Sequence, residues 1–179
     1  VSIKNGFPSY SFHRNDTAER KVNLENLLDI LPINAKIFHV GSLGLIEGQD
    51  AEVWEKFFKI CKQKGLITSL DPNVRPILIQ DRKNYIKRLE RMFFYVDILK
   101  LSNEDLQWIY PSKSLDQSFE ILQSKTNAQL LILTLGEEGS IGKTSNFEVK
   151  ITSKKISDLR YTDGAGDTYM SSILNWLVD

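Results

Sequence analysis

Leu130-Leu131-Ile132-Leu133-Thr134-Leu135 is apolar at almost every position and shows no polar alternation. That is the pattern of a strand buried on both faces, as in a parallel sheet, rather than one with a wet side. It runs into the turn Gly136-Glu137-Glu138-Gly139, after which Ser140 to Lys143 reads as a returning strand. Phe147, Val149 and Ile151 then alternate as an edge strand would. Upstream, Leu115, Phe119 and Leu122 mark a helix, and Leu106, Trp108 and Ile109 a shorter one. Ile98 to Leu101 is a strand, preceded by a helix carrying Ile86, Leu89, Met92, Phe93 and Val96. Leu66 to Leu70 is another strand. The helix before it presents Val53, Trp54, Phe57, Phe58, Ile60 and Cys61 on one face and closes at Gly65. Ile37 to Val40 is a short strand running into Gly41 and Gly44, and Leu24, Leu27, Leu28 and Leu31 repeat at helical spacing until Pro32. Val1 to Tyr10 is strand-like or irregular, and Ser9 to Arg14 extended. This alternation predicts an α/β domain over residues 1–179 with a doubly wound, mostly parallel sheet flanked by helices.

Composition narrows the classes of function. The 179 residues hold 23 Lys and Arg against 23 Asp and Glu, so no basic field for nucleic acid and no acidic tail stands out. No apolar run approaches the roughly 20 residues of a membrane span, and no signal-peptide pattern opens the chain. A soluble, cytoplasmic protein is expected, with no nucleic acid or membrane partner. Cys61 stands alone and reads as packed. His13 and His39 share no metal-ligand spacing, and His39, inside an apolar strand, reads as a core histidine. There is no Gly-x-Ser-x-Gly elbow, no Walker-type Gly-Lys-Ser/Thr and no Gly-x-Gly-x-x-Gly after the first strand. Hydrolase, P-loop and dinucleotide readings lose support.

In open α/β sheets ligands bind beyond the carboxyl ends of the strands, where this chain places its polar motifs. Thr162-Asp163-Gly164-Ala165-Gly166-Asp167 feeds the apolar-rich run Thr168 to Val178. A small-residue turn entering a helix offers unbonded N–H groups and the positive end of the helix dipole to phosphate, and Asp167 beside it could take a proton from a hydroxyl. A plain N-cap explains the same residues. Asp71-Pro72-Asn73-Val74-Arg75 offers a carboxylate, an amide and a guanidinium fork, or a self-stabilised turn with a solvated arginine. Ser102-Asn103-Glu104-Asp105 fits a capping box, which is compatible with a water-mediated Mg²⁺ contact. Thr134, Gly136 and Gly139 suit a turn whose backbone comes close to a nucleotide, or simply a hairpin turn.

Taken in order, these motifs resemble the PfkB (ribokinase-like) family of carbohydrate kinases. Gly164-Ala165-Gly166-Asp167 looks like its signature, and Thr134-Leu135-Gly136 with Gly139 like its nucleotide-loop strand. Asp71 to Arg75, and Ser9-Tyr10-Ser11-Phe12-His13-Arg14 with Ala18 after it, are similar to the fructokinase and 2-keto-3-deoxygluconate kinase branch. The resemblance implies a ribokinase-like fold and transfer of the ATP γ-phosphate, with Mg²⁺, to a primary hydroxyl of a small sugar, fructose being favoured. It implies Asp167 as base, the amides of Gly164, Ala165, Gly166 and Asp167 as anion hole, and Phe12, Arg14 and Arg75 at the substrate. Thr134, Gly136 and Gly139 would lie near ATP, and Ser102 and Asp105 would organise Mg²⁺ through water.

The chain also departs from the family pattern. Tyr161-Thr162 stands where the family has Asp-Thr, Ser102 replaces Asn, Asp105 replaces Glu, and Ser172 takes a place of Ala or Gly. The chain is shorter than family members and is expected to be incomplete at both ends, with little of the lid that often mediates homodimers. Two alternatives stand beside a fructokinase: a 2-keto-3-deoxygluconate kinase, whose substrate carboxylate two arginines would clamp, and a non-catalytic sugar- or nucleotide-binding remnant.

Overall fold

A computed structural model of the chain describes residues 2–4, 7–9, 12–157, 162 and 164–177. Strands β1 (Ser2–Lys4) and β2 (Phe7–Ser9) form an antiparallel ribbon. The main sheet has six strands in chain order: β3 (Ile37–Gly41), β4 (Ile67–Asp71), β5 (Ile98–Ser102), β6 (Leu130–Thr134), β7 (Ser140–Lys143) and β8 (Glu148–Ile151). β3 to β6 are parallel, and β7 and β8 return antiparallel. The helices are α1 (Leu24–Asp29), α2 (Gly48–Gln63), α3 (Arg82–Phe93), α4 (Asn103–Ile109), α5 (Leu115–Lys125) and α6 (Ala165–Trp176).

Alternation along the strands sorts side chains onto two faces. Leu70 of β4, Leu99 and Leu101 of β5, and Leu131 and Leu133 of β6 meet Phe58, Leu89, Phe93, Leu106 and Leu122 from α2 to α5. On the opposite face Ile98 and Ile132 pack with Met170 of α6. β6 is therefore apolar at successive positions because both its faces are covered. Each such side chain contributes about 1.5–3 kcal/mol on burial. At the amino ends of the strands, Asp97 accepts hydrogen bonds from the Thr68 N–H (2.9 Å) and hydroxyl (3.0 Å) and pairs with Lys62 of α2, tying β4, β5 and α2 together.

The expected elements are present, with shifted ends. α6 begins at Ala165 rather than Thr168, so the Gly-Ala-Gly-Asp residues are its N-cap and first turn. Val96 falls beyond α3 and Leu135 beyond β6, both still buried. Phe147, Val149 and Ile151 stay exposed. Tyr10, Ser11, Tyr161, Asp163 and Val178 lie outside the described residues. Among the described residues no helix is long and apolar enough to cross a membrane.

Candidate active site

The turns that leave β4, β5 and β6 at their carboxyl ends converge with the start of α6. Gly164 caps that helix in the left-handed region, φ 75°. A side chain would be strained in that conformation, and glycine accepts it freely. The first α-helical bond runs from the Thr168 N–H to the Gly164 carbonyl, 2.8 Å. Of the four amides assigned to an anion hole, that of Ala165 already donates to the Thr162 carbonyl at 3.1 Å. The first-turn amides of Gly166 and Asp167 remain at the positive end of the helix.

This turn separates two cavities. One, of about 500 Å³, is lined by Arg14, His39, Asp71, Asn73 and Asp167. The other, of about 580 Å³, is lined by Lys100, Ser102, Glu104, Thr134, Gly136 and Gly166. Gly139 and Ala165 also lie on the second wall, and Asn73 borders both cavities. Asp167 and Gly166, adjacent in sequence, thus face different cavities. Gly139 has φ 106°, and a Cβ there would stand 1.9 Å from the Ile151 carbonyl oxygen. The hairpin reading of that turn holds, and the turn also reaches the second cavity.

The arginines behave differently from one another. Arg14 lines the first cavity, but its Nε donates to Glu19 (2.8 Å), its Nη2 to the Leu43 carbonyl (2.8 Å), and Asp50 lies 3.5 Å away. Phe12 lines a neighbouring recess with Arg14 and Arg20, not the cavity of Asp167. Arg75 lines neither cavity. Its guanidinium folds back onto its own loop, donating to Asn73 Oδ1 at 2.6 Å and to the Asn73 and Val74 carbonyls. Arg75 is thus neither solvated nor turned to a cavity in this conformation: the left-handed Asn73 (φ 41°) brings its amide oxygen within reach.

Ser102 and Asp105 form the capping box: the Ser102 Oγ accepts from the Asp105 N–H and Asp105 Oδ2 from the Ser102 N–H, both at 3.0 Å. Asp105 Oδ1 accepts from the Val74 N–H at 2.7 Å, so this buried carboxylate clamps the β4 turn to α4. Ser102 and Glu104 reach the second cavity; Asp105 does not line it.

Sequence reasoning missed two residues here. Lys100 pairs with Asp71, Nζ to Oδ2 at 2.7 Å, with both side chains buried. Burial pushes the Asp71 carboxyl above its usual range, with the Lys100 ammonium pulling the other way. A lone lysine within Ile98-Leu99-Lys100-Leu101 was the available signal. His39 is not a core residue. It lies on an edge strand, is open to the first cavity, and contacts the Ser69 Oγ through Nδ1 at 2.9 Å. Desolvation by the surrounding protein lowers its pKa, Asp167 raises it and Lys100 lowers it, with a net downward result.

The family profile of the pfkB family carbohydrate kinases matches residues 4–179. The chain belongs to that family. This pfkB chain is 32% identical to a fructokinase of Rhizobium leguminosarum bv. trifolii, over 97% of its own length and 52% of the relative's. It superimposes on the crystal structure of fructokinase from Vibrio cholerae O395 in a fructose, ADP and calcium ion bound form. The TM-score is 0.80 at 23% identity, covering 93% of this chain and 53% of that one. A fructokinase with bound ATP from Xylella fastidiosa gives a TM-score of 0.76 at 25% identity, covering 93% and 52%. The pfkB chain spans about half the length of the curated relatives it matches.

Proposed function

We propose that this chain carries the phosphoryl-transfer centre of an ATP-dependent fructokinase. The observation behind the proposal is the position of the Gly164 to Asp167 turn between two cavities, with Asp167 in one and Gly166 in the other. A hydroxyl in the first cavity would give its proton to Asp167 and attack the γ-phosphorus of ATP presented from the second, the bond to the β,γ-bridging oxygen breaking as ADP leaves. The first-turn amides of α6 would stabilise the charge that develops. Asp167 is exposed, as a base that meets its substrate must be. Thr134, Gly136 and Gly139 would border the nucleotide.

The donor set of the second cavity suits a polyphosphate with a hard cation: an ammonium, a hydroxyl, a carboxylate and helix amides. Among the described residues no group of three or more His, Cys, Asp or Glu could hold a metal ion by itself. Mg²⁺ would therefore enter with ATP, near Ser102 and Glu104, and would neutralise charge on the phosphates. Fructose is favoured over a sugar acid. Glu19 and Asp50 already engage Arg14, and Arg75 is turned onto Asn73, so these two arginines form no clamp for a carboxylate.

ADP release from Mg·ATP with fructose or with 2-keto-3-deoxygluconate, for this chain and its Asp167→Ala variant, tests the reading. Fructose-dependent release that falls at least about 100-fold in the variant is expected. Preference for the sugar acid would reverse the substrate assignment. Release unaffected by the variant would remove Asp167 as base, and ligand binding without release would mark a non-catalytic remnant.

A further inference from the structure

The Asp71–Lys100 pair lies in the partition between the two cavities. Asp71 lines the first and Lys100 the second, and each side chain is more than nine-tenths buried. The pair follows from the register of β4 and β5. Ser69 lies opposite Ile98 and Leu70 opposite Leu99, so the next positions on the α6 face are Asp71 and Lys100. Lys100 Nζ lies beside the Gly164 to Asp167 turn, 3.3 Å from where a Cβ on Gly166 would stand. A side chain at Gly166 would crowd the ammonium from the side of that turn.

An isolated ion pair buried in a sheet contributes little net stability, because desolvation offsets most of the attraction. Placed here, it has a use. The ammonium carries three donors and its described hydrogen bond is to Asp71 Oδ2, while Asp71 Oδ1 is buried with no hydrogen-bond partner among the described residues. A polyphosphate in the second cavity brings several anionic oxygens that compete with that single carboxylate. An ammonium drawn toward phosphate relaxes its hold on Oδ2, and the carboxylate, less neutralised, becomes a stronger acceptor on the sugar side. A sugar hydroxyl donating to Asp71 conversely weakens its grip on Lys100.

We propose that the Asp71–Lys100 ion pair couples the two cavities, so that phosphate on Lys100 makes Asp71 a stronger acceptor for a sugar hydroxyl and each ligand tightens the other. This rests on the kinase reading above. Coupling of this kind is reciprocal, so it appears as a ratio of dissociation constants rather than in turnover alone. The pair acts by positioning and takes no proton in the transfer.

The test is calorimetric titration of fructose into the chain, with and without a saturating non-hydrolysable ATP analogue and Mg²⁺. Wild type should bind fructose at least about fivefold more tightly when the analogue is present. In the neutral double variant Asp71→Asn, Lys100→Met the ratio should fall to about one. A merely structural pair would weaken both titrations and leave the ratio unchanged, and that result overturns the proposal. If circular dichroism shows the double variant unfolded, Lys100→Arg carries the test. Its planar fork grips a carboxylate in two places and holds Asp71, so its ratio should also approach one, and a wild-type ratio overturns the proposal. Wild type that binds neither ligand overturns the kinase reading and this proposal together. Wild type that binds both ligands independently overturns the coupling alone.

Discussion

Asp105 shows how one carboxylate can be committed to structure at the rim of a candidate site. Its two oxygens accept the Val74 and Ser102 N–H groups, and it is buried. Asparagine offers one acceptor oxygen, so Asp105→Asn leaves one of these amides unsatisfied. A loss of about 1–3 kcal/mol in unfolding free energy is expected from denaturant melts, with any Mg²⁺ dependence of nucleotide binding unchanged. The capping box was legible from the spacing of Ser102 and Asp105, because a cap is a local contact. The bond to Val74 was not, because it joins residues 31 apart in the chain. Arg75 shows the converse. Its type and place suggested a ligand clamp, and a left-handed Asn73 two residues earlier supplied its partner instead.

The strands are set from both ends. At the amino ends, burial acts to raise the Asp97 carboxyl, but hydrogen bonds from Lys62 and Thr68 outweigh it and its pKa lies below the ordinary carboxylate value. A depressed carboxylate stabilises the fold above its unfolded pKa, and that stabilisation is lost as pH falls through the folded value. Wild type should therefore be more stable than Asp97→Asn at pH 7. The gap should close as pH drops below about 4, read from denaturant midpoints across the series. At the carboxyl ends, the helix after the Gly-Ala-Gly-Asp residues was legible because its apolar run and glycine turn are contiguous. The apolar run begins at Thr168, three residues after the helix does, since Ala165, Gly166 and Asp167 read as loop while their backbone forms the first helical turn. The last sheet strand, β8, keeps its alternation without gaining cover: Val149 and Ile151 remain 55% and 61% exposed.

Those exposed residues bear on the behaviour of the protein in solution. Among the described residues β8 is the last strand of the sheet and carries exposed apolar side chains, and Trp176 on α6 is 77% exposed. Such an edge invites pairing with a second copy. Sedimentation velocity should show self-association of the chain that Val149→Lys reduces, and equal sedimentation of the two proteins would contradict this. The alternation of short apolar strands with helices, the mixed sheet and the family signature follow from contiguous residues. Periodicity, turn glycines and a carboxylate beside them express physics that acts over a few positions. The sequence by itself therefore determined the class of fold and the turn at which chemistry is proposed. It did not determine that Lys100 meets Asp71, 29 residues away, that acids occupy Arg14, or that His39 faces a cavity. Those outcomes depend on strand register and on how far α6 covers the sheet. Charge–charge energy falls with separations of a few ångströms, and only the folded chain sets such distances between residues so far apart.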